Sequence, residues 1–360
     1  MAKKKTTVEI EEEELVKEED QQSKLYTDYA DTIFSAKYLL DKPKKVISVS
    51  PAFDVYTGGV PEGSFIALTG KEKCGKSVLS LSIAARAQRP EYINEELCPQ
   101  GRKIIFFNVE HRLKKRDLEG IHGIDLSDNR FLMVQSSPGK ILSSEKFCDR
   151  ILRFINEEPG CIVIIDSFSM LSSSAEQAAD IGYQDRGRSN GIISELMRKI
   201  AGPLAVNQCI VIGITHGYAN TSGWGAAFVE KSASSLKYSE DIKFFAKKVE
   251  PWRIGSDERQ PQIGQKVEWD VLFSAILPPG GKVKSHIRYG YGLDEYSELA
   301  ELACDLAIFE KTEKGGVYTL KDVDKKIRGT ENVIEYLKAN PSYYELIKNE
   351  VYEMSGVECR

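Results

Sequence analysis

The stretch Gly70-Lys71-Glu72-Lys73-Cys74-Gly75-Lys76-Ser77 carries the most specific chemistry in this chain. A glycine, four residues and then Gly-Lys-Ser is the Walker A spacing of a P-loop, whose backbone N–H groups turn inward around phosphate oxygens. In such a loop the Lys76 amine reaches the β and γ phosphates and the Ser77 hydroxyl ligates a divalent cation, so ATP and Mg2+ are the expected cofactors. Three further polar groups sit at the ends of apolar runs. Ile162-Val163-Ile164-Ile165 leads into Asp166, the Walker-B position, where a carboxylate holds Mg2+ through water. Ile104-Ile105-Phe106-Phe107-Asn108-Val109 delivers Glu110, which could orient and deprotonate the water that attacks the γ-phosphate. Ile210–Ile214 ends at Thr215-His216, where an imidazole can feel that phosphate. Each has a plainer reading: Asp166 as a helix cap, Glu110-His111-Arg112 as a solvated turn, His216 as a structural histidine.

These residues need strands and helices to hold them. Between residues 64 and 250, β-rich runs (Phe65–Thr69, Lys103–Val109, Phe131–Gln135, Ile162–Asp166, Ile210–Thr215) alternate with helical patterns (Lys76–Gln88, Glu145–Glu157, Ile192–Ala201). That alternation predicts an α/β fold with a mostly parallel twisted sheet and helices on both faces. In such a sheet ligands collect at the carboxyl ends of the strands, where all four motifs fall. After Lys266 the pattern is strand-rich as far as Tyr289 and then helical over Glu298–Ile308, Thr330–Ala339 and Tyr343–Met354, which predicts a small C-terminal subdomain.

At the other end, residues 9–20 hold eight acids in twelve positions and almost no apolar side chain, too little to offset the entropy of folding. Tyr26, Tyr29, Ala30, Ile33, Phe34 and Tyr38 then recur at helical spacing, an apolar stripe that packs either on the chain's own core or on a neighbouring subunit. The expected organisation is a disordered acidic arm at 1–22, a helix and strand for oligomerisation at 23–50, an ATPase core at 51–285 and a C-terminal subdomain at 286–360.

Composition narrows the function class. The net charge is −5, and residues 1–20 alone carry eight acids against four lysines, so the remaining 340 residues are close to neutral. Bulk polyelectrolyte attraction to nucleic acid is therefore absent, and DNA binding would need local basic loops. Seven cysteines with no CxxC pair favour neither a disulfide framework nor a zinc cluster. Apolar runs fall far short of the roughly 20 residues of a bilayer span, and the Lys-rich, then acidic, N-terminus does not read as a signal peptide. A cytosolic protein with no membrane partner is expected.

The ordered motifs carry a family resemblance. Gly58-Gly59-Val60-Pro61-Glu62-Gly63, the P-loop, Val109-Glu110-His111-Arg112-Leu113, Ile164-Ile165-Asp166-Ser167, Met197-Arg198-Lys199-Ile200-Ala201-Gly202 and Thr215-His216-Gly217-Tyr218 together resemble bacterial RecA. The Thr-His-Gly-Tyr element and Tyr238-Ser239-Glu240-Asp241 look closer to the UvsX branch of phage recombinases. The similarity runs from about residue 45 to the end and includes Ile287-Arg288-Tyr289-Gly290-Tyr291-Gly292-Leu293 and the stretch from Glu331-Asn332 to Asn340-Pro341. It implies a RecA-like core and an ATP-dependent helical filament that forms on single-stranded DNA, finds homologous double-stranded DNA and exchanges strands in recombination, repair and recombination-dependent replication. Implied partners are the DNA, further copies of the chain, and single-strand-binding and loader proteins in the cytoplasm of an infected bacterium. Family roles fall on Lys76, Ser77, Asp166, Glu110 as the water-activating base and His216 as the γ-phosphate sensor.

The resemblance places DNA on two loops. Residues 172–191 end with Arg186 and Arg188; residues 217–237 interleave Tyr218, Trp224 and Phe228 with Lys231 and Lys237, cations for phosphates and aromatic faces for bases. Two departures stand out. Where the family supplies lysines to the neighbour's ATP site, this chain reads Leu272-Phe273-Ser274-Ala275-Ile276, and the family's aromatic platform is replaced by Lys114-Lys115-Arg116-Asp117. Lys247, Lys248, Arg253, Lys266, Lys282 and Lys284 are the nearby cations that could substitute for those lysines. The alternatives to a recombinase are an ATP-gated DNA-coating accessory filament with weak hydrolysis, and a hexameric helicase-type P-loop motor.

Overall fold

The computed structural model describes residues 32, 44–181, 187–219, 228–230, 236–254, 259–312 and 316–357. The chain divides into two units, Met1–Lys44 and Lys45–Arg360, and the architecture below is that of the second. The acidic arm and the helix expected over residues 23–40 lie outside the described residues, as do Arg186, Trp224 and Lys231.

In chain order the first strands are β1 (Val46–Ile47), β2 (Val60–Pro61), β3 (Phe65–Gly70), β4 (Ile104–Asn108), β5 (Phe131–Val134), β6 (Ile162–Asp166) and β7 (Ile210–Ala219). They are followed by β8 (Phe228–Glu230), β9 (Ile242–Arg253), β10 (Gln262–Phe273), β11 (Lys282–Arg288) and β12 (Gly292–Leu293). One large sheet runs β12-β11-β10-β9-β3-β7-β6-β4-β5, with β8 paired to β7 off that path. From β9 to β5 the neighbours are parallel; β9 to β12 are antiparallel. The sheet is thus the mostly parallel, helix-flanked α/β fold expected.

Continuous apolar runs form the central strands because both of their faces are covered. Alternate residues part company: Ile66, Leu68, Phe106, Ile164 and Ile212 join the core under helices Pro51–Thr57 and Lys76–Ala87. Ile105, Phe107, Val163, Ile165 and Val211 join the opposite layer under helices Ser144–Glu157 and Arg188–Val206. Register then aligns the strand ends. Gly70 lies opposite His216, Thr69 opposite Thr215, and Asn108 opposite Asp166. A one-residue slip would turn every side chain to the wrong layer, so the same burial that stabilises the sheet fixes which groups meet at its edge.

Two features stand apart from the sequence pattern. Strand β9, parallel to β3 and central to the sheet, was not singled out by the apolar pattern; its first half is buried, but Lys247, Lys248 and Pro251 break the run where it continues as a twisted ribbon with β10. The division expected at residue 286 falls inside β11, which pairs with β10 from Lys282 to Arg288. Packing changes instead at Asp294, whose side chain accepts from Ser297 N and caps helix Glu295–Asp305. Beyond it, that helix packs with helices Thr330–Ala339 and Pro341–Met354 and a three-stranded sheet around a separate core that includes Leu299, Phe309 and Ile347.

The subdomain is tied back by buried polar contacts. Asp54 is fully buried and accepts from Val49 N at 2.9 Å, Ser48 Oγ at 2.5 Å and Tyr352 Oη at 2.7 Å. Burial raises its carboxyl pKa, and these hydrogen bonds act against that rise. Arg86 pairs with Glu295, which also accepts from Tyr344 Oη at 3.1 Å. Removing one donor from a buried carboxyl leaves an acceptor unsatisfied, so Tyr352→Phe should destabilise the chain by about 1–2 kcal/mol. Urea unfolding checks this; an unchanged midpoint would show that Tyr352 does not anchor the last helix.

Candidate functional site

The P-loop bridges β3 and helix Lys76–Ala87, and its glycines are fixed by what lies behind them. Gly75 has φ +89°, and a Cβ there would stand 2.3 Å from Ile287 Cδ1 of β11. Gly70 has φ +151°, and its Cβ would meet that of Ala246 in β9 at 2.8 Å. Lys76, only 4% exposed, donates from Nζ to the carbonyls of Gly70 at 3.0 Å and Lys71 at 2.6 Å. Among the described residues no carboxylate pairs with it. A buried ammonium surrounded by neutral acceptors is costly unless an anion completes its shell, so the loop fits a phosphate chain.

Ser77 Oγ donates to Asp166 Oδ2 at 2.6 Å. Burial pushes the Asp166 carboxyl up, with the Ser77 bond pulling against it. A hydroxyl and a half-buried carboxylate side by side fit Mg2+, which takes few protein ligands and keeps waters and substrate phosphates for the rest. Consistent with that sparse donor set, no cluster of three or more His, Cys, Asp or Glu suited to a metal occurs among the described residues.

Glu110 stands at the end of β4, and its Oε1 is held from two other strand ends. Ser167 Oγ, just after β6, donates at 2.6 Å, and His216 Nε2 of β7 lies at 2.5 Å. Arg112 Nη1 approaches Oε2 at 3.4 Å. Burial works to raise this carboxyl, but the His216 and Ser167 hydrogen bonds and the charges of His216 and Arg112 overcome it and hold Glu110 at about 2. His216 is itself positioned by its backbone N–H, which donates to Ser169 Oγ at 2.8 Å. Its Nδ1 is buried without a hydrogen-bond partner.

The structure therefore brings Gly70, Lys71, Glu72, Lys73, Cys74, Gly75, Lys76, Ser77, Glu110, Asp166 and His216 to one edge. Most of them line a cleft of about 790 Å³. Sequence reasoning missed its other wall. Tyr289, 55% exposed, brings an aromatic ring to the cleft, and Arg116, Asp117 and Gln265 also line it. Tyr289 sits in the Tyr-Gly-Tyr-Gly run after β11, which was quoted for its resemblance and given no role; its separation from the P-loop by more than 200 residues hid the proximity. Ser167 and Arg112 were likewise unassigned although adjacent to the two carboxylates.

The DNA-loop residues fare differently. Arg188 is exposed but opens the helix Arg188–Val206 instead of sitting in a loop. Tyr218 continues β7 and lies opposite Val229, Phe228 belongs to β8, and Lys237 lies in a short helix, Leu236–Ser239. Part of the second loop is thus a β-ribbon growing out of β7. Of the substitute cations, Lys247 pairs with Asp270, Lys248 with Glu250, and Lys266 and Lys284 with Glu301.

A strand, a phosphate-cradling loop and a helix, with carboxylates at the ends of neighbouring parallel strands, define a P-loop nucleotide-binding protein. Comparison with known proteins narrows the class. A family model, the RecA N-terminal domain, matches residues 43–294, and the chain belongs to the RecA family. The protein RecA of Heliobacterium modesticaldum is 28% identical over 320 residues, 86% of this chain and 82% of the relative. Those of Nitratiruptor sp. and Geobacter metallireducens are 26% and 25% identical, covering 84% and 88% of this chain and 81% and 85% of theirs. Members of this family are recombination proteins and DNA-dependent ATPases that use ATP with Mg2+, bind DNA and form filaments.

The depressed Glu110 carboxyl has a consequence for stability. Its folded pKa lies below the unfolded value, so the charged form stabilises the fold above about pH 4 and that contribution fades as pH falls toward about 2. The stability difference between wild type and Glu110→Gln should therefore narrow between about pH 5 and pH 3 in urea titrations. A difference constant over that range would mean the strand ends gain nothing from this charge.

Proposed function

We propose that this chain is an ATP-dependent DNA strand-exchange recombinase that assembles as a filament on single-stranded DNA and pairs it with homologous duplex. The buried Lys76 ammonium, paired with no carboxylate among the described residues, carries the reading, because it makes the P-loop a site for phosphate. P-loop amides and Lys76 would hold the phosphates, and Ser77 and Asp166 would hold Mg2+, which when bound would supply neutralising charge for phosphoryl transfer. Tyr289 offers its ring to the adenine. Glu110 orients the attacking water and accepts its proton, for which one of its present donors must let go. His216 is the group that does so as it turns toward the γ-phosphate, and the strand it belongs to leads into the 217–237 segment.

Single-stranded DNA is read by the 172–191 and 217–237 segments, with Arg188 and Lys237 as cations for phosphate, and Arg186, Tyr218, Trp224, Phe228 and Lys231 contributing charge and aromatic faces. The Thr215-His216-Gly217-Tyr218 element supports placement in the phage UvsX branch and hence action in the cytoplasm of an infected bacterium, beside single-strand-binding and loader proteins. No described helix is long and apolar enough to cross a membrane. A second reading, an accessory filament with weak turnover, is favoured by the absence of lysine from residues 272–276.

Paired variants test the assignment. Lys76→Ala should lose ATP binding and ATP-dependent retention of an oligodeoxynucleotide. Glu110→Gln should keep both while DNA-stimulated hydrolysis falls by about 10²-fold or more. Binding of nucleotide by Lys76→Ala, or undiminished turnover in Glu110→Gln, would overturn the roles given to these residues. Wild-type filaments that neither hydrolyse ATP nor form joint molecules would favour the accessory reading.

A further inference from the structure

The cleft holds a cation that the P-loop chemistry leaves unused. Residues 272–276 offer none to a neighbour; Leu272 and Phe273 are instead half-exposed apolar side chains. Within the cleft, Lys73 and Lys76 belong to the P-loop itself, Lys76 donating to the loop carbonyls, and Arg288 is held by Asp294 at 2.5 Å and Glu331 at 3.4 Å with its guanidinium over the Trp252 ring. Arg116 reaches Asp117 at 3.6 Å.

Arg112 is different. His111 adopts a left-handed backbone, φ +56°, which turns the chain sharply just after Glu110 and sends Arg112 back across it. Its guanidinium lies 3.4 Å from Glu110 Oε2 and 4.0 Å from Oε2 of the P-loop's Glu72, between the water-activating carboxylate and the phosphate cradle. Both partners are carboxylates that would repel an incoming phosphate; a guanidinium placed between them offsets that repulsion. At 65% exposure and with only long ion pairs, the side chain is free to exchange them for phosphate oxygens, which its planar fork matches better.

We propose that Arg112 contacts the terminal phosphate in cis and stabilises its transition-state charge, doing within one protomer what a cation from the neighbour does elsewhere. This rests on the nucleotide reading above. An exposed pair at these distances contributes little to the fold, so Arg112→Ala should unfold with wild-type stability.

The test compares wild type, Arg112→Ala and Arg112→Lys for ATP and ADP affinity, for trapping of ADP with aluminium fluoride, and for DNA-stimulated hydrolysis. Arg112→Ala should bind ADP like wild type, fail to trap the fluoride complex, and hydrolyse ATP about 10²-fold more slowly or worse, with partial recovery in Arg112→Lys. Mixed filaments of Lys76→Ala and Arg112→Ala protomers should remain inactive, because neither site is complete. Wild-type trapping and turnover in Arg112→Ala overturn the proposal, as does rescue in the mixed filaments, which would place Arg112 in trans. A wild-type chain that binds no adenine nucleotide overturns the nucleotide reading itself, and this assignment with it.

Discussion

One carboxylate, that of Glu110, joins the ends of three parallel strands. β4 carries it, the residue after β6 donates to it, and β7 supplies the imidazole at 2.5 Å. That meeting is possible because β4, β6 and β7 run parallel in a register set by burial on both faces, which leaves their carboxyl ends level. The same donors that hold the group also hold its charge: at about 2 its pKa is far too low for efficient proton acceptance near neutral pH. The arrangement is therefore a restrained one. Loss of the His216 contact would raise the basicity of Glu110. One residue further along β7, Gly217 pairs with Glu230 of β8.

How far this was legible in the sequence depended on whether a group's partner lay nearby in the chain or in register. The P-loop spacing is local, and the apolar runs ending at Asp166, Glu110 and His216 place those side chains at a common edge once a parallel sheet is assumed. Strand β6 was found with its observed ends, and β3 and β4 to within a residue, because continuous burial gives continuous apolar sequence. The helix starting at Arg188 runs through Gly202 and Pro203 to Val206, beyond the end at Ala201 read from the pattern. Pro203 lies inside this helix without an N–H to give the ladder, which is why the pattern reads as ending before it. Strand β9 escaped because half of it is solvated, and Tyr289 because nothing in a linear pattern announces which distant loop closes over a strand tip. The pairing of Arg112 with Glu110 depends on a left-handed residue at His111, where no glycine marks the turn.

The antiparallel half of the sheet, least visible in the sequence, turns out to shape the phosphate site. Ala246 of β9 and Ile287 of β11 press against the two P-loop glycines so closely that neither position has room for a β-carbon. The next residues along β11 and beyond, Arg288 and Tyr289, form part of the cleft's far wall. Then Tyr291 stacks on His122 with ring centroids 4.8 Å apart, and Lys338 of the subdomain helix Thr330–Ala339 sits 5.4 Å over the Tyr291 ring. A single stretch, Ile287 to Tyr291, thus backs the phosphate loop, walls the cleft and meets the C-terminal subdomain. The buried Tyr352–Asp54 bond and the Arg86–Glu295 pair add further ties between the subdomain and the core. Among the described residues, the subdomain thus contacts the stretch that walls the cleft, although its helices do not line it.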